Sequence, residues 1–351
     1  MYHLAFTIAI AFFVSLMLIH ALKPVAQKID LVDRPNQRKL HKGAVPLVGG
    51  IAISLGFCIG ILALNISLAP YRALFAGYLF LTVIGIMDDF NELTPRLRII
   101  AQIVVALLAT CWGGATLLHL GHIFSNSFSF YLGPWAIPIS AVALIALINA
   151  NNMLDGVNGL AGGSSFATLA CIDWIAWRTH AVNDFQILLI LLSCVFAFLC
   201  FNFPVLKYRN RLVFLGDAGS TGLGLMMGWF GIQLSQIHQA FFKPAYLPWL
   251  LILPIFDLTS VTLRRALVKR VSPLTADREH VHHLLQSMRL RGSITALILV
   301  LFALAGGLIS IFMAEYRFPE TEAFSLFLVL LLAYCIGTNI YWQRNTPLPS
   351  G

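Results

Sequence analysis

The chain reads as an all-α polytopic membrane protein of about eleven transmembrane helices, N-terminus out and C-terminus in, with a polar site at the cytoplasmic face. Three observations carry that expectation. Of 351 residues, 59% are hydrophobic and 11% charged, and the mean hydropathy is +0.83; a soluble domain carries roughly 25% charged residues. The apolar residues come in runs close to the roughly 20 residues a spanning helix needs. Lys and Arg gather in alternate loops between those runs. The composition excludes an ordinary soluble protein, and equally a disordered chain, which lacks the apolar residues to collapse.

Taken in order, the apolar runs predict spans at about 4–22, 44–64, 71–87, 99–118, 134–150, 160–177, 185–204, 218–235, 245–263, 293–314 and 322–342. The first is no cleavable leader, since nothing basic precedes it and Lys23, Lys28, Arg34, Arg38, Lys39 and Lys42 follow it. The runs at 134–150 and 218–235 are the weakest, being short or rich in Gly and Ser. Neither an internal repeat nor a low-complexity linker divides the chain, so 1–351 is expected to be one membrane domain. Cys58, Cys111, Cys171, Cys194, Cys200 and Cys335 all fall inside apolar stretches without spaced pairs. They read as small buried residues, with neither disulfides nor a thiolate metal site implied.

Placing the loop after the first span inside puts 19 of the 23 Lys and Arg residues on one side, leaving Arg72, Arg178, Lys243 and Arg317 on the other. Basic inner loops set orientation and place the net charge of +8 against anionic lipid head groups. A folded basic module for nucleic acid is absent from the pattern, so no nucleic-acid partner is expected.

The inner segments also collect the acids and a histidine run. Asp88 and Asp89 sit where the third span ends, where the helix dipole disfavours each acid by about 0.3–1 kcal/mol; Arg96 and Arg98 follow in the same loop. A solvated loop is the plainer reading, and a cation-dependent site the sharper one. In Asn149-Ala150-Asn151-Asn152-Met153-Leu154-Asp155-Gly156, a fifth helix that continued would align Asn149, Asn152 and Asp155 on one stripe. That stripe offers oxygens to a hard cation or to ligand hydroxyls, and Asn149 and Asp155 are read as substrate contacts; an ordinary helix end would use the same residues. Gly216-Asp217-Ala218-Gly219-Ser220 opens the eighth span, where free backbone N–H groups suit phosphate and an acid can hold Mg²⁺ beside it. A plain N-cap is the alternative there.

The longest inner loop carries Asp277-Arg278-Glu279-His280-Val281-His282-His283 among six further basic residues, Arg264, Arg265, Lys269, Arg270, Arg289 and Arg291. His280 and His283 are one helical turn apart, but nothing completes a zinc site, and the surrounding charge suits a polyanion better. Asp257 lies inside the ninth span and is a functional candidate on that ground, with a structural pair to Arg264 or Arg265 as the competing reading. The histidines at 3, 20, 119, 122, 180 and 238 show no constellation.

In this order, the clusters resemble the polyprenyl-phosphate N-acetylhexosamine-1-phosphate transferase superfamily, and more closely its bacterial undecaprenyl-phosphate branch that starts O-antigen and related glycans. The matching text is Leu31 to Asn36, Val45 to Gly50, Asp88-Asp89, Asn152 to Gly159, Gly216 to Ser220, and Ser272-Pro273 through His283. The resemblance implies ten or eleven helices in the bacterial cytoplasmic membrane and transfer of a sugar 1-phosphate from a UDP-N-acetylhexosamine to undecaprenyl phosphate, with release of UMP. It implies Asp217 and Asn152 as Mg²⁺ ligands, with Mn²⁺ as a possible substitute, Asp88 and Asp89 as the catalytic acid pair, and Arg98 as a pyrophosphate contact. Arg278, His280, His282 and His283 would bind the nucleotide sugar. The sister peptidoglycan enzymes carry three consecutive histidines where this chain has His280-Val281-His282-His283, so a MurNAc-pentapeptide donor is not expected. N-acetylglucosamine is the default sugar, membrane lipid and a second copy of the chain are further expected partners, and the polysaccharide pathway is open. A transporter, the competing class, would place its ionisable groups near mid-membrane in repeated, interrupted helices, whereas these acids lie at span ends.

Overall fold

The computed structural model describes residues 2–34, 43–125, 127–203, 212–238, 240–272 and 279–345. Helices dominate: α1 (Tyr2–Lys28), α2 (Gly49–Leu62), α3 (Arg72–Asn91), α4 (Pro95–Leu107), α5 (Ala136–Met153), α6 (Leu160–Arg178), α7 (Val182–Asn202), α8 (Gly216–Ile237), α9 (Leu247–Leu250), α10 (Ile252–Leu263), α11 (Val281–Ser287), α12 (Gly292–Glu315) and α13 (Glu320–Asn345). Two short strands, β1 (Val32–Asp33) and β2 (Val45–Pro46), pair antiparallel between α1 and α2. The fold is all-α and polytopic. Among the described residues seven helices are long and apolar enough to cross a membrane, or eight if the bent α9–α10 pair counts as one span.

Each apolar run predicted from sequence contains helix, but the second begins in β2 and holds only the 14 residues of α2, the fourth leaves helix at Trp112, and the ninth is broken. The axes on either side of Leu251 meet at 79°. Pro254 accounts for the break, since it has no N–H to give the Leu250 carbonyl and its ring crowds that turn. The fourth run also departs from regular α-helix, widening into a π turn over Leu108–Trp112 before it ends.

One of the two weakest runs, 218–235, proves to be the centre of the bundle. α8 packs against α2, α3, α5 and α6, and α1 and α13 lie at the periphery. A helix surrounded by protein needs no lipid-facing apolar coat, and small residues let neighbours approach closely. At Gly50, for example, any Cβ would collide with the backbone of Gly219. On the outside, side chains such as Phe13, Leu301, Val329 and Leu332 stand exposed, as a lipid solvent requires and water would penalise. All six cysteines are free.

Candidate active site

Four helix ends meet at one pole of the bundle. α3 stops at Glu92, whose φ of +42° turns the chain while its N–H still reaches the Asp88 carbonyl. Thr94 then caps α4 by accepting from the Leu97 N–H, and Pro95 fills the first helical position, where an N–H has no partner anyway. This tight turn brings Arg98 back over Asp88: its Nε lies 2.5 Å from Asp88 Oδ2, while Asp88 Oδ1 accepts from the Leu93 N–H at 2.7 Å. Asp88 is 5% exposed. Arg98 also reaches across the pole, its Nη1 3.7 Å from Asp217 Oδ2.

Asp217 is set by the chain before α8. Pro46 accepts from the Phe214 N–H at 2.9 Å, and the Gly49 and Gly50 N–H groups donate to the Phe214 and Leu215 carbonyls at 2.9 and 2.8 Å. The segment Val45 to Gly50 thus acts as a bracket for the start of α8. Gly216 has φ +73°, and a Cβ there would lie 2.5 Å from Asp89 Oδ2, so both backbone and space require glycine. From α5, Asn152 Nδ2 donates to Asp217 Oδ1 at 2.8 Å and to Ser220 Oγ at 3.0 Å. Beneath it Asn151 donates to the Ser220 carbonyl at 2.7 Å and accepts from Ser165 at 3.0 Å.

The result is a small, partly open cleft lined by Gly85, Asp88, Arg98, Gln102, Asn149, Asn152, Asp217 and Thr221, among others. Five of the residues singled out from sequence line it together: Asp88, Arg98, Asn149, Asn152 and Asp217. Arg98 touches both the Asp88 and the Asp217 carboxyl, so the two acids face each other across the cleft. Two acids and a carboxamide on one wall form a hard oxygen donor set, and like charges so close call for a cation. Mg²⁺ fits this donor set. The residues sequence reasoning missed are Gln102, which exchanges hydrogen bonds of 2.6 and 3.2 Å with Asn149, and Ser220. Gln102's one signal is its place four residues after Arg98, on the same face of α4.

Several expectations need correction. Asp89 does not point where Asp88 does: its Oδ1 accepts from the Asp217 N–H at 3.0 Å. That amide, expected to be free for phosphate, is already taken by Asp89. The stripe Asn149–Asn152–Asp155 does not form, because α5 ends at Met153 and Asp155 falls in the following turn, away from the cleft lining. Asp257 pairs with neither Arg264 nor Arg265 but with the histidine run. Its Oδ2 lies 2.7 Å from His280 Nδ1 and its Oδ1 accepts from the Val281 N–H at 2.8 Å. His280 precedes α11 as its N-cap residue, and its carbonyl accepts from the His283 and Leu284 N–H groups at 2.9 and 3.1 Å, so His280 and His283 bracket the first turn as their spacing predicts. Among the described residues no three His, Cys, Asp or Glu side chains group as a metal site.

The histidines reach the same pole by a second route. His282 is 2% exposed with no hydrogen-bond partner on either ring nitrogen, and a Cβ on Gly156 would lie 2.5 Å from its Nε2. The turn after α5 and the histidine segment therefore touch through His282 and Gly156. Burial, then the neighbouring His283, push the His282 pKa down to about 3, so the ring is neutral at physiological pH. His283 packs on it with ring centroids 4.1 Å apart. Arg278 lies outside the described residues. At the opposite pole His180 and His238, without a constellation in the sequence, share a wide cleft with Tyr71 and Asp184.

Comparison with known proteins places this geometry. Residues 71–235 match the family described as glycosyl transferase family 4. The chain is similar to a protein of Escherichia coli O157:H7 named undecaprenyl-phosphate alpha-N-acetylglucosaminyl 1-phosphate transferase. The two are 36% identical over 337 residues, covering 94% of this chain and 89% of that protein. Proteins of the same name from Yersinia pestis and Haemophilus influenzae are each 31% identical, covering 93% and 96% of this chain and 89% and 94% of theirs.

Proposed function

Because the chain belongs to glycosyl transferase family 4, we propose that its cleft transfers N-acetylglucosamine 1-phosphate from UDP-N-acetylglucosamine to undecaprenyl phosphate. UMP is released and a lipid-linked pyrophosphate sugar formed, the starting unit of O-antigen or another envelope polysaccharide. The observation that carries the reading is the convergence of Asp88, Arg98, Asn152 and Asp217 from four helix ends into one cleft. In the reaction an oxygen of the lipid phosphate bonds to the sugar-bearing phosphorus of the donor, and that phosphorus loses its anhydride oxygen, with the bonding pair, to UMP.

Two anions must meet for this, so positioning and neutralisation dominate the barrier. Asp217, Asp88 and the Asn152 carboxamide would hold Mg²⁺, with Mn²⁺ as a substitute. A bound divalent cation would neutralise phosphate charge and fix the donor's pyrophosphate. Arg98, already spanning Asp88 and Asp217, supplies a second positive charge that can pass from carboxylate to phosphate. A phosphate monoester is mostly dianionic at pH 7, its second pKa being about 6. Asp88 therefore orients the acceptor rather than deprotonating it. Asp89 holds α8, and so Asp217, in place. His282 and His283, beside the turn at Gly156, contribute to the donor seat together with Arg278.

The basic bias of alternate loops supports eleven spans in the cytoplasmic membrane with the N-terminus outside and the cleft facing the nucleotide-sugar pool inside. The test is direct. Purified protein is incubated with undecaprenyl phosphate, labelled UDP-N-acetylglucosamine and Mg²⁺. The reading expects UMP and labelled lipid in equal amounts; consumption of the donor without lipid product contradicts it.

A further inference from the structure

Asp257 on α10 and Arg264, two turns further on where the helix widens into a π-helical stretch over Arg264–Lys269, meet the segment that opens α11. The bonds between them run both ways in charge. Asp257 on the helix holds His280 and the Val281 N–H at 2.7 and 2.8 Å. Arg264 donates from Nε to Glu279 Oε2 at 2.7 Å and from Nη2 to the Glu279 carbonyl at 2.8 Å, and Lys269 pairs with the other Glu279 oxygen. Asp257, Arg264, Glu279 and His280 are each under 9% exposed. Three consecutive residues, 279–281, are therefore fastened to the helix that follows the 79° break.

A carboxylate buried this deeply is costly unless every oxygen is satisfied, and both Asp257 oxygens are occupied by the segment. His280 in turn is committed through Nδ1 to Asp257, which fixes the proton on that nitrogen and the ring's orientation. One residue beyond this anchor stands His282, whose two unpartnered ring nitrogens meet the turn at Gly156.

We propose that Asp257 is a positioning residue for donor binding: through His280 it sets the start of α11 and thereby the seat of His282 against the turn after α5. His280 is then the anchor of the segment rather than its contact with the nucleotide sugar. The proposal rests on the sugar-phosphate transfer set out above.

A double-mutant cycle tests it, with Asp257→Asn, His280→Gln and the double variant assayed for KM of UDP-N-acetylglucosamine and, separately, of undecaprenyl phosphate. If Asp257 acts through His280, each single change raises the donor KM about tenfold or more, as loss of a charged hydrogen bond would. The double variant then matches the worse single one within about twofold, and the acceptor KM stays put. Multiplying effects, an acceptor KM that moves instead, or an unchanged donor KM in active protein overturns the proposal. Should Asp257→Asn fail to yield folded protein, His280→Gln decides on the same split of KM values. Wild-type protein that releases no UMP would refute the underlying reaction, whereas active wild type with indifferent variants refutes the role of Asp257 alone.

Discussion

Asp89 accepts the backbone N–H of Asp217 at 3.0 Å, so one acid of the Asp88-Asp89 pair caps the helix that carries the cleft's other carboxylate. Neighbours in sequence point about 100° apart on a helix: Asp88 faces Arg98 and the cleft, while Asp89 faces α8. The two therefore differ in role.

The first prediction separates them. Asp89→Ala leaves the Asp217 N–H without its acceptor and should cost about 1 kcal/mol of stability, the value of a lost cap. Activity falls with it as Asp217 loosens. Asp89→Asn keeps an acceptor oxygen and should retain most activity, whereas Asp88→Asn should not. Melting curves of detergent-solubilised variants beside their UMP release check this; equal loss for both Asn variants contradicts the division.

Gly156→Ala tests the contact between the turn after α5 and the histidine segment. The added Cβ would lie 2.5 Å from His282 Nε2, closer than any relaxed contact, so the ring or the turn must shift. We expect a higher KM for the nucleotide sugar with little change for the lipid. An unaltered donor KM would show that the seat of His282 does not bear on the donor.

The His282 ring predicts a pH dependence of stability. Folded, its pKa is pushed from 6.5 down to about 3 by burial; unfolded, it regains the ordinary value. The unfolded chain thus binds the extra proton, and stability falls as pH drops from about 6.5 towards 3. Melting temperature should decline more steeply between pH 7.5 and 5 for wild type than for His282→Gln. Parallel curves would contradict a buried neutral ring.

Sidedness follows from the loop charges. In a background without native cysteines, a cysteine replacing Met288, which is 49% exposed at the end of α11, should react with an impermeant thiol reagent only in inverted or opened vesicles. Labelling from outside intact cells reverses the orientation.

Much of the site was legible because its residues sit where apolar runs stop. Asp88, Arg98, Asn152 and Asp217 each break a hydrophobic pattern at a span end, and a polar residue there needs a reason. Asp89 was legible as an acid but not in its direction, which depends on where α8 packs. Gln102 left only the weak signal of its spacing from Arg98, and Ser220 stood in the Gly216–Ser220 motif without anything to mark it as a partner of Asn152. The partner of Asp257 was misjudged because Arg264 is near in sequence, whereas His280 comes back to α10 only through the following loop. Of the fold, the positions of the helices were readable from hydropathy. The central place of α8 was not, because a helix sheathed in protein needs small residues rather than greasy ones, and low hydropathy resembles weakness. The break in the ninth run was missed, although Pro254 lies within it and removes a helical N–H.

The account's central claim is that Asp217 provides the charge holding a divalent cation in the cleft. Its most direct test is UMP release by Asp217→Asn as a function of Mg²⁺ concentration. The Asn side chain keeps the shape and an oxygen for the 2.8 Å contact from Asn152, and the backbone N–H still donates to Asp89, so the protein should extract and melt like wild type. The charge that draws the cation is gone. The account predicts almost no transfer at low Mg²⁺, with partial recovery at high Mg²⁺ or Mn²⁺; full activity of the Asn variant at low Mg²⁺ would contradict it.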